Sequence, residues 1–272
     1  MKARVLASLA GVLLASAALA QPQQPAAPAP PSAPAPDLAV PLPQDVCAVP
    51  GYILFDDGKL ERLKKAVDQE RHLNILVLGS GSSLLPAADG TGKAYPGRLE
   101  ELLRQRFPKV SVNVTAVAKA RLTTADMLAS LDKVLLDRKP DLVVWQTGTV
   151  DAMRGVDPES FRTALDEGID LIEESGADVV LMNMQYSPRT ETMISLSQYA
   201  DIMRVVARDR SVPLFDRREI MRYWNDSGSF DLNLGTKDFA TAYKVHDCLG
   251  RALASLLIEA ANLDGIKGKP TQ

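Results

Sequence analysis

The chain has 272 residues, 46% of them hydrophobic and 24% charged. That suits one globular domain with a full core and excludes a disordered chain. The formal net charge of −3 and the lack of a basic stripe exclude nucleic acid as a partner.

The opening residues read as a targeting segment. Lys2 and Arg4 precede a short apolar run, Val5–Leu14, and Ala18-Leu19-Ala20 is a small-x-small cleavage site, so 1–20 is expected to be a secretory signal. The alternative, a membrane anchor, requires a longer apolar run, and no stable membrane insertion is expected after cleavage. Gln21–Pro36 is almost wholly Pro, Ala and Gln, and 21–46 reads as an extended linker. The folded domain is expected over 47–264, with 265–272 as a tail, in a periplasmic or secreted protein. The chain has two cysteines, Cys47 and Cys248. In an exported protein an isolated pair reads as a disulfide, the alternative being two unpaired buried thiols.

Lys59–Arg71 has the spacing of an amphipathic helix, with Leu60, Leu63 and Val67 on one face. The run Leu73–Leu78 predicts a buried parallel strand that breaks at Gly79 into the loop Ser80, Gly81, Ser82 and Ser83. In a doubly wound sheet such a loop lies at the carboxyl edge, where ligands bind. Leu84–Lys93 reads as loop, and Tyr95–Phe107 as a helix ended by Pro108. Val110–Val117 is expected as the second strand, followed by a helix capped by Thr123 or Thr124 and running to about Arg138. Leu142–Trp145 predicts the third strand. Asp157-Pro158 opens a helix to Ser175, with Gly176 as its cap. Val179–Met182 and Val212–Phe215 read as strands four and five, separated by a long helix over Glu191–Arg210. A short helix over Arg217–Trp224 and a closing one over Ala240–Ala261 complete the chain. The alternation predicts an α/β, three-layer α/β/α domain with a five-stranded parallel sheet and right-handed crossovers.

Within this frame, ILVLGSGSS, AYPGRLEELL, TADMLASLDKVLLDRKPDLVVWQTGTVDAMRGVD, VVLMNMQYSP and VPLFDRREIMRYW together resemble the SGNH (GDSL-type) hydrolases. These are flavodoxin-like esterases and lipases, and the likeness is to an exported bacterial subgroup. It spans about Cys47–Ala261 and is most specific over Pro140–Asp157. The resemblance implies strand order 2-1-3-4-5. It also implies a nucleophilic serine, a histidine base with an aspartate three residues before it, and an oxyanion hole of a glycine, an asparagine and the serine N–H.

Matched position by position, this chain departs from that pattern. The nucleophile position is Gly81 and the oxyanion glycine is Arg121. The oxyanion asparagine is Val150, within Gln146-Thr147-Gly148-Thr149-Val150-Asp151-Ala152. The Asp-x-x-His positions, counted back from Cys248, are Lys237 and Ala240. No catalytic residue of the family stands where the pattern needs it. Ser80, Ser82 or Ser83 would serve as a displaced nucleophile, but the base is missing. His72 precedes the first strand, at the wrong end of the sheet. His246 lies six residues past the expected site, about 600° around a helix and about 9 Å along it, and reads as a surface or capping histidine. Asp247 beside it reads as a solvated charge.

Other chemistries find little support. Gly79-Ser80-Gly81 has Leu84 where a dinucleotide loop needs its third glycine, and Gly90-Thr91-Gly92-Lys93 lacks the remainder of a P-loop. No cofactor is indicated, and two scattered histidines with one cysteine pair give no metal-ligand spacing. The first expectation is a non-catalytic envelope protein that binds a ligand or protein partner at the former ester site. Its candidate ligand-binding residues are Ser80, Ser82, Arg121, Thr149, Asp151, Gln185 and Lys237. The gain of Arg121 and Lys237, with Lys119 close by, suits a carboxylate-bearing ligand such as an acidic glycan. Against this, Arg121 and Lys237 would point into solvent, or Arg121 would pair with Asp151. The alternatives are an active esterase on carboxylic or carbohydrate esters through a displaced serine, or a purely structural envelope domain.

Overall fold

The computed structural model describes residues 45–85, 90–233 and 239–263. The expected signal, most of the linker, Lys237 and the tail lie outside them. Five parallel strands, β1 (His72–Gly79), β2 (Ser111–Ala118), β3 (Leu142–Gln146), β4 (Asp178–Met182) and β5 (Leu214–Phe215), form one sheet in the order β2-β1-β3-β4-β5. This is the order the resemblance implied.

β1, β3 and β4 read as near-continuous apolar runs because both faces of the sheet are covered there, while the edge strand β2 alternates and is partly exposed. Alternate residues serve opposite layers. Ile75, Val77, Leu142, Val144, Val180 and Met182 join the core under the helices Tyr95–Arg106, Arg217–Asp226 and Ala240–Ala260. Leu76, Leu78, Val143, Trp145, Val179 and Leu181 join the core under Leu131–Arg138, Pro158–Glu174 and Ser197–Arg210. Each such side chain, fully buried, is worth about 1.5–3 kcal/mol. Two glycines let helices come close. A Cβ on Gly168 would lie 2.2 Å from the Trp145 ring, and one on Gly250 would lie 2.8 Å from Arg98 Cβ, where the last helix crosses Tyr95–Arg106.

Several elements differ from the expectation. The first charged helix is α-helical only over Glu61–Lys65 and widens into a π turn over Ala66–Glu70, ended by Arg71 at φ 58°. The helix after β2 is two pieces, Thr124–Leu128 and Leu131–Arg138, and opens with a reciprocal capping box between Thr123 and Asp126. The long helix before β5 is likewise two, Pro188–Met193 and Ser197–Arg210, each with its own start. β5 is shorter than Val212–Phe215, and a turn of helix over Gly90–Lys93 replaces part of the expected loop. Cys47 and Cys248 are bonded across 201 residues, fastening the start of the domain to the last helix. Among the described residues, no helix is long and apolar enough to cross a membrane.

Candidate functional site

The loops after β1, β2 and β3 meet at the carboxyl edge of the sheet. Lys119 N donates to Gly79 O at 3.1 Å, and Ala120 Cβ would be 3.5 Å from a Cβ placed on Gly81. Thr124, beyond β2, bonds to Thr147 and Asp151, beyond β3, with its Oγ1 2.6 Å from Thr147 Oγ1. The parallel register, Gly79 beside Ala118 and Leu78 beside Trp145, delivers these loops side by side, as the sequence predicts.

The centre of the site is Gln146, the last residue of β3, fully buried. Its Oε1 accepts from Ser80 N at 3.0 Å, Ser80 Oγ at 2.9 Å, Ser83 Oγ at 3.0 Å and Ser82 Oγ at 3.4 Å. The backbone donor fixes the amide's orientation, since only a carbonyl oxygen can accept from it. All three loop hydroxyls therefore point at one acceptor. Ser83 Oγ also lies 3.0 Å from the Tyr95 phenol, and Arg217 Nη1 donates to Ser82 Oγ at 3.2 Å. Gly81 is exposed, Ser82 half-buried, Ser80 and Ser83 buried.

The other expected site residues separate. Asp151 is buried and turned inward: its carboxylate accepts from Thr124 N at 3.0 and 3.2 Å and from Thr124 Oγ1 at 3.1 Å, while burial pushes its pKa up. It is not a partner of Arg121. Arg121 is exposed, at φ 67°, and its carbonyl accepts from Arg154 Nη2 at 2.9 Å. The position thus keeps the left-handed backbone a glycine would favour, with a solvated cation on it. Thr149 and Val150 are half-buried in the first turn of Thr149–Arg154, and Gln185 is half-buried in the loop after β4. Ala240 opens the last helix.

Neither histidine joins the serines. His72 begins β1, at the opposite edge. His246 is a buried cap rather than a surface residue: its Nδ1 accepts from Tyr95 N, the first residue of Tyr95–Arg106, at 3.0 Å. Burial, and secondarily the Arg217 charge, holds its pKa down to about 3. Asp247 is not a lone solvated charge; it pairs with Arg98 at 2.6 Å. At the amino edge, ligand-type atoms of Glu70, His72 and Asp141 gather within 4.8 Å of one another. Nothing in the residue spacing announces this grouping, since Asp141 lies 69 positions beyond His72. Arg62 already supplies a cation there, bonding Glu70 at 2.6 and 2.8 Å and also Asp141, so the cluster is an ion-pair network.

Gln146 and Arg217 are the residues that sequence reasoning passed over. Both stood in quoted motifs, Gln146 at the end of an apolar strand and Arg217 just beyond another, where a buried polar side chain has to find a partner in the loops.

A five-stranded 2-1-3-4-5 parallel sheet is the flavodoxin-like doubly wound fold, the fold of the SGNH-type hydrolases among others. Solved structures share the fold: a catalytic mutant of an acetylxylan esterase from Geobacillus stearothermophilus superposes with TM-score 0.56 at 15% identity, covering 72% of this chain and 97% of that one. A lipase/acylhydrolase from Enterococcus faecalis gives 0.56 at 19% identity, covering 74% and 99%. The sequence matches the profile of the Non-GDSL lipase-like family over residues 46–263, and the chain belongs to that family. An arylesterase of Vibrio mimicus is 31% identical over 122 residues, which are 45% of this chain and 60% of the arylesterase's own length.

Proposed function

We propose that this is an exported, non-catalytic member of the SGNH-type hydrolases that binds a ligand at the former ester site. One observation carries the reading. The hydroxyls of Ser80, Ser82 and Ser83 all point at Gln146 Oε1, and among the described residues no imidazole hydrogen-bonds to them, His246 Nδ1 being taken by Tyr95 N. A serine near its ordinary pKa is a weak nucleophile without an adjacent base. Val150 in place of a side-chain donor removes a contribution to oxyanion stabilisation worth about 3–4 kcal/mol in such sites. The disulfide fits an oxidising compartment outside the cytoplasm. The competing reading, an esterase working through Ser82, draws on the esterase relatives and on the contact from Arg217 to Ser82 Oγ.

Hydrolysis of p-nitrophenyl acetate by the purified protein and by Ser82→Ala decides between them. The expected result is a background rate, identical in both, and no stoichiometric labelling by a fluorophosphonate probe. Turnover abolished by Ser82→Ala, or stoichiometric labelling, overturns the proposal.

A further inference from the structure

Three side-chain atoms among the described residues are buried without a hydrogen-bond partner: Gln146 Nε2, Thr149 Oγ1 and Arg217 Nε. All three belong to the carboxyl edge, at the end of β3, in the turn after it and just past β5. The first and last are obligate donors, so what the edge lacks is an acceptor. Arg217 is 1% exposed, and among the described residues no carboxylate pairs with it. Its protein contacts are Ser82 Oγ at 3.2 Å, Ser82 O at 3.3 Å and the face of the Tyr95 ring at 5.7 Å. The next residue provides the contrast: Arg218 is also buried, but is held by Glu191 at 2.5 Å.

A buried cation without a counter-ion is costly, and side chains of this kind are otherwise paired. Tyr95 does not neutralise it, because burial pushes the phenol's pKa up and keeps it protonated. Burial drives Arg217 itself down to about 10, a sign of how little negative charge surrounds it. Arg217 and Gln146 are separated by one hydroxyl: Ser82 Oγ is 3.2 Å from Nη1 and 3.4 Å from Oε1. Gly81, next to Ser82, is exposed and carries no side chain.

We propose that Arg217, Ser82 and the Gln146 amide form the receptor for the carboxylate of the ligand. This rests on the binding reading above and moves the anchoring cation from Arg121 to Arg217. The planar fork of the guanidinium matches a carboxylate, which accepts from Nε and Nη2 together, on the edge that carries the unpartnered Nε. Ser82 Oγ turns from Gln146 to donate to the same anion, and Gln146 Nε2 gains its acceptor. No bond is made or broken.

The test is calorimetric titration of the full-length protein with sodium glucuronate and with sodium acetate, against sodium chloride at equal ionic strength. The expected result is one saturable site for glucuronate, also filled more weakly by acetate. Affinity should fall at least about tenfold in Ser82→Ala and in Arg217→Lys, which keeps the charge but loses the fork, and vanish in Arg217→Met. If Arg217→Met fails to fold, the other two variants decide. Unchanged affinity in both, or no carboxylate binding by the wild type, overturns the site. Esterase turnover with carboxylate binding intact would instead overturn the non-catalytic reading and leave this receptor standing.

Discussion

Replacing His246 with asparagine separates a capping histidine from a catalytic one. In the folded chain the ring is buried, its Nδ1 accepts from Tyr95 N, and its pKa is held down to about 3 against an ordinary 6.5. At about pH 5 the unfolded chain binds a proton at this position and the folded chain does not, so acid favours unfolding. The histidine's contribution is complete above 6.5 and is lost as the pH falls from there toward about 3. Between neutrality and about pH 5 the loss is roughly 2 kcal/mol, from a gap of about 1.5 pH units at about 1.36 kcal/mol each. For a domain of this size that is about 4–8 °C in Tm. Asparagine places Oδ1 near the position of Nδ1, keeps the acceptor for Tyr95 N and does not titrate. Scanning calorimetry of both proteins at about pH 7 and about pH 5 should therefore show His246→Asn gaining about 4–8 °C on the wild type across that interval. Carboxylate titrations common to both proteins cancel in the difference. A difference that stays constant with pH would refute the buried-cap account and return His246 to the list of available bases.

Installing serine alone at the nucleophile position, Gly81→Ser, should give a folded protein, since a Cβ there meets only Ala120 at 3.5 Å. Ester hydrolysis should stay at background because among the described residues no imidazole hydrogen-bonds to this loop, and a measurable rate would show that a base is present. Removing both cysteines, Cys47→Ala with Cys248→Ala, opens a loop of 201 residues and should lower stability by about 5 kcal/mol on the chain-entropy account, or roughly 10 °C or more in Tm. A melting temperature within about 2 °C of the wild type would show that this link does little for the folded state.

The sheet was legible because its signal is hydrophobic and local: buried strands are apolar runs, and those of β1, β3 and β4 are closed by Gly79, Gln146 and Asn183 at the carboxyl edge. Helix interiors were legible for the same reason, and helix interruptions were not. The breaks at Ala129–Ser130 and Ile194–Leu196 leave the apolar periodicity nearly unchanged, and a π turn at Ala66–Glu70 carries no residue that announces it. In the site, the sequence located the loops but not the directions of their side chains. Asp151 and Arg121 stand on neighbouring loops, yet one faces Thr124 in the interior and the other faces solvent. Arg217 was invisible as a site residue because its burial depends on Ser82 and Tyr95, more than 100 positions away.

The Cys47–Cys248 bond also decides how the domain bears load. A pull applied at the first described residues passes through one covalent junction into the helix Ala240–Ala260. The segment between the two cysteines, which contains all five strands, lies outside that path. Tension is thus carried by a helix seated on Tyr95–Arg106 across the close contact at Gly250, and the sheet and the loops at its carboxyl edge are mechanically bypassed. While the bond is intact, a pull on the front of the domain does not run through the carboxyl edge of the sheet. Reduction would remove that isolation and let the same pull begin to peel the fold from Cys47 inward.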